Sequence, residues 1–415
     1  MTIKNHPSRQ AGSSALLWVA LACTLLLALR KPWALYSPQL WAEDGSIFLI
    51  QAEQLGWRAF IEPYNGYLHL LPRLVAWIAH LTADPACWPA IYNGLAFTIS
   101  AALFARIAHP RVDLPAKPGL MLALVLVVGT GEVLINVTNL QWLTAFFLVL
   151  HVFTSPAPTL AAQIRDLTLL GIVGLNGPFA IVFAPLLGWR VWRAWPEKNP
   201  QRTFHFWAIA ILAICAALQG WFVTHAHGGL AFPVSPEPFR PLMGCSIVGS
   251  RLITWTFLGP LPVRAWPLWI HAIIGVVSLT ALLGWALRAD ARRPIRTLLV
   301  AAFGLVTAAC AYRVRADTWE DDNLINGDRY FYISRVLLAW LVVLEMNTTP
   351  RAIAIAARAL GLAAVLSHAP YFILPAPPDF QWAQHCEPIR RGVPAKIPTL
   401  PAGWILEYPG RAPRP

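Results

Sequence analysis

Apolar runs separated by short polar loops dominate the chain. The first run, Ala15 to Leu29, follows a basic leader, "MTIKNHPSRQ". A signal peptide has that shape too, but "RKPWALYSPQLW" offers no small-residue cleavage site. The run therefore reads as an uncleaved anchor over residues 14 to 30, with its N-terminus in the cytoplasm. Crossings are expected near 88–107, 119–135, 140–154, 205–223, 264–287, 297–313, 331–346 and 352–368. Several approach the ~20 apolar residues that a ~30 Å hydrocarbon core demands.

Two runs depart from that pattern. "YLHLLPRLVAWIAHL", 67–81, is apolar but short, and His69, Arg73, Ala76 and His80 fall on one helical stripe. That suits a helix lying in the membrane interface better than one crossing it. Residues 166–189 contain "GLNGP" at 174–178, whose Gly and Pro break a helix. Two half-helices meeting there are tolerated at membrane depth only under protein cover. The expected fold is thus an all-α polytopic membrane protein of nine crossings plus a broken hairpin. Interfacial helices occupy an outer loop at 31–87. Residues 1–374 form the transmembrane body, and the Pro-rich stretch 375–415 reads as an irregular outer tail.

Composition agrees. Of 415 residues, 57% are hydrophobic and only 13% charged, about half the charge of a soluble domain. The 20 Trp and 19 Phe suit interfacial belts. The net charge of +12 sits in clusters such as Arg106/Arg111/Lys117, Arg190/Arg193/Lys198/Arg202 and Arg288/Arg292/Arg293/Arg296. Clusters of that kind mark cytoplasmic loops, so the charge reports topology and not a nucleic-acid partner. Of the 20 acids, only Asp113, Asp166, Glu197, Asp290 and Glu345 fall inside; the other 15 are outside. Chemistry that needs carboxylates belongs on the outer face. The six Cys show no CxxC or metal-ligand spacing.

The candidate chemistry starts at "WAEDGSIFLIQ", 41–51, where Glu43 and Asp44 stand beside the bilayer. Ionisable groups at such a place are usually functional. Asp44 is either a base or metal-orienting group, with Glu43 second, or the N-cap of a helix starting at Gly45. His69 and Arg73 form either part of the site or a snorkelling polar face. In "GDRYFYISR" the residues Asp328, Tyr332 and Arg335 share one helical face. Arg335 lies a turn or two inside its span and needs an anion there: a prenyl phosphate or Asp328 itself. The amides of Asn139 and Gln141, in "GEVLINVTNLQW", are suited to sugar hydroxyls or to turn capping. The "NVT" at 136–138 is too close to the bilayer to be a glycosylation acceptor. Asp321 and Asp322 are either divalent-ion ligands or solvated loop acids. His225 and His227 alone are a weak metal signal. Cys245 and Cys386 share the outer compartment, as two free thiols or as a bridge pinning the tail.

An anchor, an acidic pair opening an outer-loop helix and a second interfacial helix, in that order, resemble the first module of GT-C glycosyltransferases. The matching stretches are "WAEDGSIFLIQAEQLGWRAFIEPYNGYLHLLPRLVAW" and "LLGIVGLNGPFAIVFAPLLGWRVWRAW". The second is similar to the apolar-KGP-apolar segment of lipid A aminoarabinose and protein mannosyl transferases, with Asn176 where that segment has Lys. The likeness covers roughly residues 14 to 190, and "GDRYFYISR" more loosely. No large soluble domain follows the last helix.

The resemblance implies transfer of a sugar from a polyprenyl-phosphate donor, by inverting displacement, at the periplasmic face of a bacterial inner membrane. The acceptor would be a pilin or other exported protein, lipid A or a polysaccharide, and arabinofuranose is one candidate sugar. It implies Asp44 or Glu43 as base and Arg73, Arg335 and Arg329 as donor-phosphate contacts. Tyr64, His69, Asn139, Gln141, Asp328 and Tyr332 would then contact substrate. It fixes no cofactor, and a divalent metal is compatible. A flippase or transporter of lipid-linked sugars is the rival. It would favour internal repeats and midplane ionisable residues, and no repeat is visible. A non-catalytic assembly subunit is the third reading.

Overall fold

The computed structural model describes residues 13–127, 129, 131–194, 202–225, 241–314, 327–348 and 350–410. Asp321, Asp322 and His227 lie outside these residues. Of the described residues, 75% are helical. Its first half contains α1 (Ser13–Arg30), α2 (Trp33–Tyr36), α3 (Ile50–Leu55), α4 (Leu70–Thr82), α5 (Trp88–Ala108), α6 (Lys117–Leu126) and α7 (Leu140–Val152). Then come α8 (Leu160–Gly174), α9 (Phe179–Ala194), α10 (Arg202–His225), α11 (Pro241–Ile247), α12 (Trp255–Leu258) and α13 (Pro260–Ala265). The last helices are α14 (Leu268–Leu287), α15 (Arg293–Val314), α16 (Arg329–Glu345), α17 (Arg351–His368) and α18 (Cys386–Arg391). Wide π segments, Asp44–Leu49 and Val248–Thr254, lead into α3 and α12. β1 (Ala395–Thr399) and β2 (Trp404–Tyr408) pair antiparallel.

Length sorts the helices by what they face. Five stretches, Pro85–Ala108, Arg202–His225, Leu268–Leu287, Arg293–Ala311 and Arg351–Tyr371, are long and apolar enough to cross a membrane. Their outer faces expose Ile214 and Trp221 on α10, Ile273 and Val277 on α14, and Leu362 and Leu366 on α17. Apolar surface on that scale needs lipid against it. The chain is an all-α membrane protein.

Of the runs expected to cross at 119–135, 140–154 and 331–346, the last two form helices within two residues of those bounds, and the first is cut short. α6, α7 and α16 have 10, 13 and 17 residues, roughly 15, 20 and 25 Å of helix. Every residue of α7 except Phe147 is buried, as is Phe331 to Leu338 of α16. A helix surrounded by helices need not match the thickness of the lipid. The helix expected to continue to 135 stops at Leu126, and buried turns follow. Irregular backbone at such depth needs internal partners. Arg30 and Lys31 supply them: Arg30 donates to the carbonyls of Val125 and Val127, and Lys31 to those of Gly131 and Leu134.

The break at "GLNGP" is present as a turn between α8 and α9, with Gly177 at φ +93°. Its tip bonds to the strand-like stretch before α4. Gly177 N donates to Leu68 O at 2.9 Å, and Leu70 N to Leu175 O at 3.2 Å. Gln219 of α10 accepts from Leu68 N at 2.8 Å and donates to Gly177 O at 3.0 Å. Asn176 accepts from Leu71 N at 3.3 Å and donates to Thr144 at 3.1 Å. It holds the turn in place.

α4 is 13 residues long, roughly 20 Å. Its polar stripe points inward: His69, Arg73 and Ala76 are buried, while Ile78 and Leu81 are exposed. A snorkelling polar face is therefore excluded.

The tail differs from an irregular one, since it carries α18 and the β1–β2 pair. Its apolar residues explain why. Trp382, Cys386, Ile389, Ile397, Leu406 and Tyr408 bury against Leu40, Phe48, Leu49, Val75 and Trp88 in an apolar cluster separate from the bundle core. Polar contacts fix its path. Gln39 donates to Pro378 O at 3.1 Å and accepts from Phe380 N at 3.0 Å, and Leu400 N donates to Leu40 O at 3.0 Å. Arg390 grips Asp84 with two bonds of 2.8 and 2.7 Å. The tail is a cap over the first loop. Cys245 and Cys386 are both free thiols, and Cys386 is buried within electrostatic reach of Cys87 instead.

Candidate functional site

Ala42 opens a helix that widens into the π segment at Asp44. Wide turns of this type recur at functional sites. Asp44 is fully buried and does not cap its own helix. Its carboxylate crosses to the turn before α7, accepting from Thr138 N at 2.8 Å, Thr138 Oγ1 at 2.6 Å and Val137 N at 3.3 Å. Burial pushes its pKa up to about 7, against the pull of those three donors. Lys31 is buried nearby and is pushed down to about 7 by the same loss of water, with Asp44 opposing the shift. Glu43 stays half-buried and accepts from the Tyr64 hydroxyl at 3.3 Å.

Phe48, one turn on, is the hub of the group. Its ring centre lies 5.8 Å from Tyr64, 5.5 Å from His69 and 5.3 Å from the Arg73 guanidinium. His69 also stacks on Tyr67 at 4.6 Å. Burial, reinforced by Arg73, holds its imidazole down to about 3, so it is neutral at any working pH. Arg73 donates from Nη1 to Gln51 at 2.8 Å. Its Nε and Nη2 are buried without a partner. Burial lowers it to about 10, and Glu62 opposes that. Five candidates therefore converge here: Glu43, Asp44, Tyr64, His69 and Arg73.

The candidates near residue 330 form a second group. Arg335 donates to Asp328 at 2.6 Å and to Arg251 O at 2.8 Å, and it stacks over Trp255. The structural pairing of Asp328 with Arg335 is thus present. Arg329 pairs with Glu132, and Tyr332 donates to Leu124 O at 2.8 Å. Arg30, Gly131, Glu132, Asp328 and Tyr332 line a cavity of about 10 Å³, the space of a single water molecule. Asn139 works as a turn residue, accepting nothing from the site: its N–H and Nδ2 donate to Asn136 Oδ1 and Glu132 O, both at 2.9 Å. Gln141 is buried with Oε1 unpartnered, packed so closely on Gly177 that a Cβ there would fall 2.2 Å from it. The turn at 131–139 joins the two groups, bonded to Asp44 at one end and Lys31 at the other.

Among the described residues no cluster of three or more His, Cys, Asp or Glu is placed to hold a metal. His225 stacks on Trp221 at 3.8 Å. Sequence reasoning missed Arg30, Lys31, Gln51 and Thr138. A signal for the first two existed: two cations at the end of the anchor that the sequence reads as outer run against the positive-inside rule. Compared with protein-family models, curated proteins and solved structures, the chain matches none.

Proposed function

We propose that this protein is a GT-C-like glycosyltransferase of the bacterial inner membrane. It moves a sugar from a polyprenyl-phosphate donor to a periplasmic acceptor. The observation that carries the reading is Arg73: a buried guanidinium with two unpartnered nitrogens, Nε and Nη2, on the helix that packs against the segment opened by Asp44. A cation in that state calls for an anion, and a donor phosphate is an anion whose departure a neighbouring carboxylate base would assist by deprotonating the attacking hydroxyl. The N-terminus is cytoplasmic, nine crossings and the broken hairpin form the body, and the tail is periplasmic.

The acceptor hydroxyl attacks the anomeric carbon from the face opposite the phosphate. The C–O bond to the phosphate breaks, its electron pair stays on the leaving oxygen, and the hydroxyl proton passes to a carboxylate. Asp44 has its oxygens filled by Val137 and Thr138, so Glu43 receives that proton and Asp44 positions the α7 turn beside it. Arg73 balances the leaving phosphate.

The test is release of polyprenyl phosphate from synthetic lipid-linked sugars by the purified full chain. Arg73→Gln should lower kcat/KM for the donor roughly 100-fold or more, and Glu43→Gln should abolish turnover while donor still binds. Turnover by Arg73→Gln at the wild-type rate would sink the proposal.

A further inference from the structure

The far end of the bundle carries a polar assembly that the reading above does not use. α5 runs from Trp88, in the apolar cluster beneath the tail, to Arg106 near its other end. Its 21 residues separate the two by roughly 30 Å. Around Arg106 several elements converge. Its Nη2 donates to Thr154 Oγ1 at 3.2 Å, and Arg190 of α9 donates to Thr154 O at 3.2 Å. Arg111 pairs with Asp166 of α8 and donates to Ser155 O at 3.1 Å. His151 of α7 is 4% exposed with Nε2 unpartnered, and His205 of α10 is 6% exposed with Nδ1 unpartnered. Arg106, Arg190 and His205 all lie within electrostatic reach of His151.

The carboxylates Asp113 and Asp166 offset only part of the charge of Arg106, Arg111, Lys117 and Arg190. That leaves a positive end with two buried imidazole nitrogens lacking partners. Two features separate a lipid from a free anion. Trp189 and Trp192 flank Arg190 in sequence, and Phe206 and Trp207 follow His205; all four rings are exposed. Exposed aromatic side chains at a helix end form the belt that sits at headgroup level. Basic pockets between membrane helices at that level bind anionic headgroups.

We propose that Arg106, Arg190, His151 and His205 form a site for the phosphate of an anionic phospholipid, at the end of the bundle remote from Glu43. The guanidinium groups meet the phosphate oxygens, the imidazoles donate or accept at the headgroup rim, and the acyl chains run along the exposed face of α9 and α10.

Native mass spectrometry and thermal unfolding of the full chain in neutral detergent test this. The probes are phosphatidylglycerol, phosphatidylcholine and inorganic phosphate. Phosphatidylglycerol should stay bound and raise Tm, and phosphatidylcholine should not. Arg190→Gln should weaken phosphatidylglycerol retention at least fivefold. His205→Gln should do the same to a smaller degree, and it serves if Arg190→Gln fails to fold. Equal retention of the two lipids, or retention unchanged in both variants, overturns the site. A Tm rise from inorganic phosphate equal to that from phosphatidylglycerol overturns the lipid as its ligand. Donor turnover at Glu43 is a separate readout, so failure here leaves the glycosyltransferase reading intact, and the reverse holds too.

Discussion

Asp44 was legible in the sequence as a residue under constraint, but its partner was not. An acid beside an apolar run announces a cost. It does not announce that Val137 and Thr138, more than ninety positions away, will meet it. The consequence is a stability that depends on pH with a definite sign. The folded protein holds the Asp44 proton up to about 7, against 3.8 for the ordinary side chain. Between those values the folded state binds more protons than the unfolded chain, so this contribution falls as pH rises. His69, held down to about 3, has the opposite sign in an overlapping window: its contribution rises with pH toward 6.5. Lys31, pushed down to about 7, adds a rise only above that value. Comparison with Asp44→Asn isolates the carboxyl. From pH 4.5 to 6.5 the wild type should lose Tm relative to Asp44→Asn. A constant difference between the two proteins across that range would show that Asp44 does not titrate there.

The contact between the π segment and the tail makes a prediction at the level of elements. A Cβ added at Gly45 would lie 2.6 Å from Leu406 Cδ1, and Leu406 is fully buried on β2. Leu40 Cδ1 lies 3.4 Å from the same Cβ, and Tyr408 ties β2 to Glu53 through a hydroxyl bond of 2.8 Å. Gly45→Val should destabilise the cap by about 1–3 kcal/mol. Limited proteolysis should then cut residues 375–408 faster than in the wild type, while the bundle survives. Equal cleavage rates would mean the tail is not seated on that segment. Elements differ in how openly the sequence shows them. The long lipid-facing helices were plain, because lipid demands both length and apolar surface. The "GLNGP" break was plain too, because Gly and Pro leave little choice. α6 was misjudged in length, since a helix covered by protein escapes the thickness rule that makes hydropathy informative. The β1–β2 pair was hidden in a Pro-rich stretch whose six burying residues are spaced too irregularly to show a period.

At the scale of the whole molecule, sidedness follows from which ends the contacts bring together. α1 ends at Arg30, whose carbonyl accepts from Leu374 N at 2.8 Å. α4 follows, and the start of α5 meets the tail, so α5 begins at the same end as the tail. Trp382 confirms the level by donating to Pro85 O at 2.8 Å. α5 then carries the chain through the membrane to Arg106, and α6 starts there at Lys117, which donates to His109 O at 2.8 Å. The Lys117 end and the tail therefore lie on opposite faces, whatever the absolute orientation. We propose that the first is cytoplasmic, on the charge of Arg106, Arg111 and Lys117. A reporter fused after Lys117 should read cytoplasmic, and one fused after Tyr408 should read periplasmic. The same sign from both fusions would require α4 to cross the membrane, and the inward-facing Arg73 could not then hold a phosphate on the outer side.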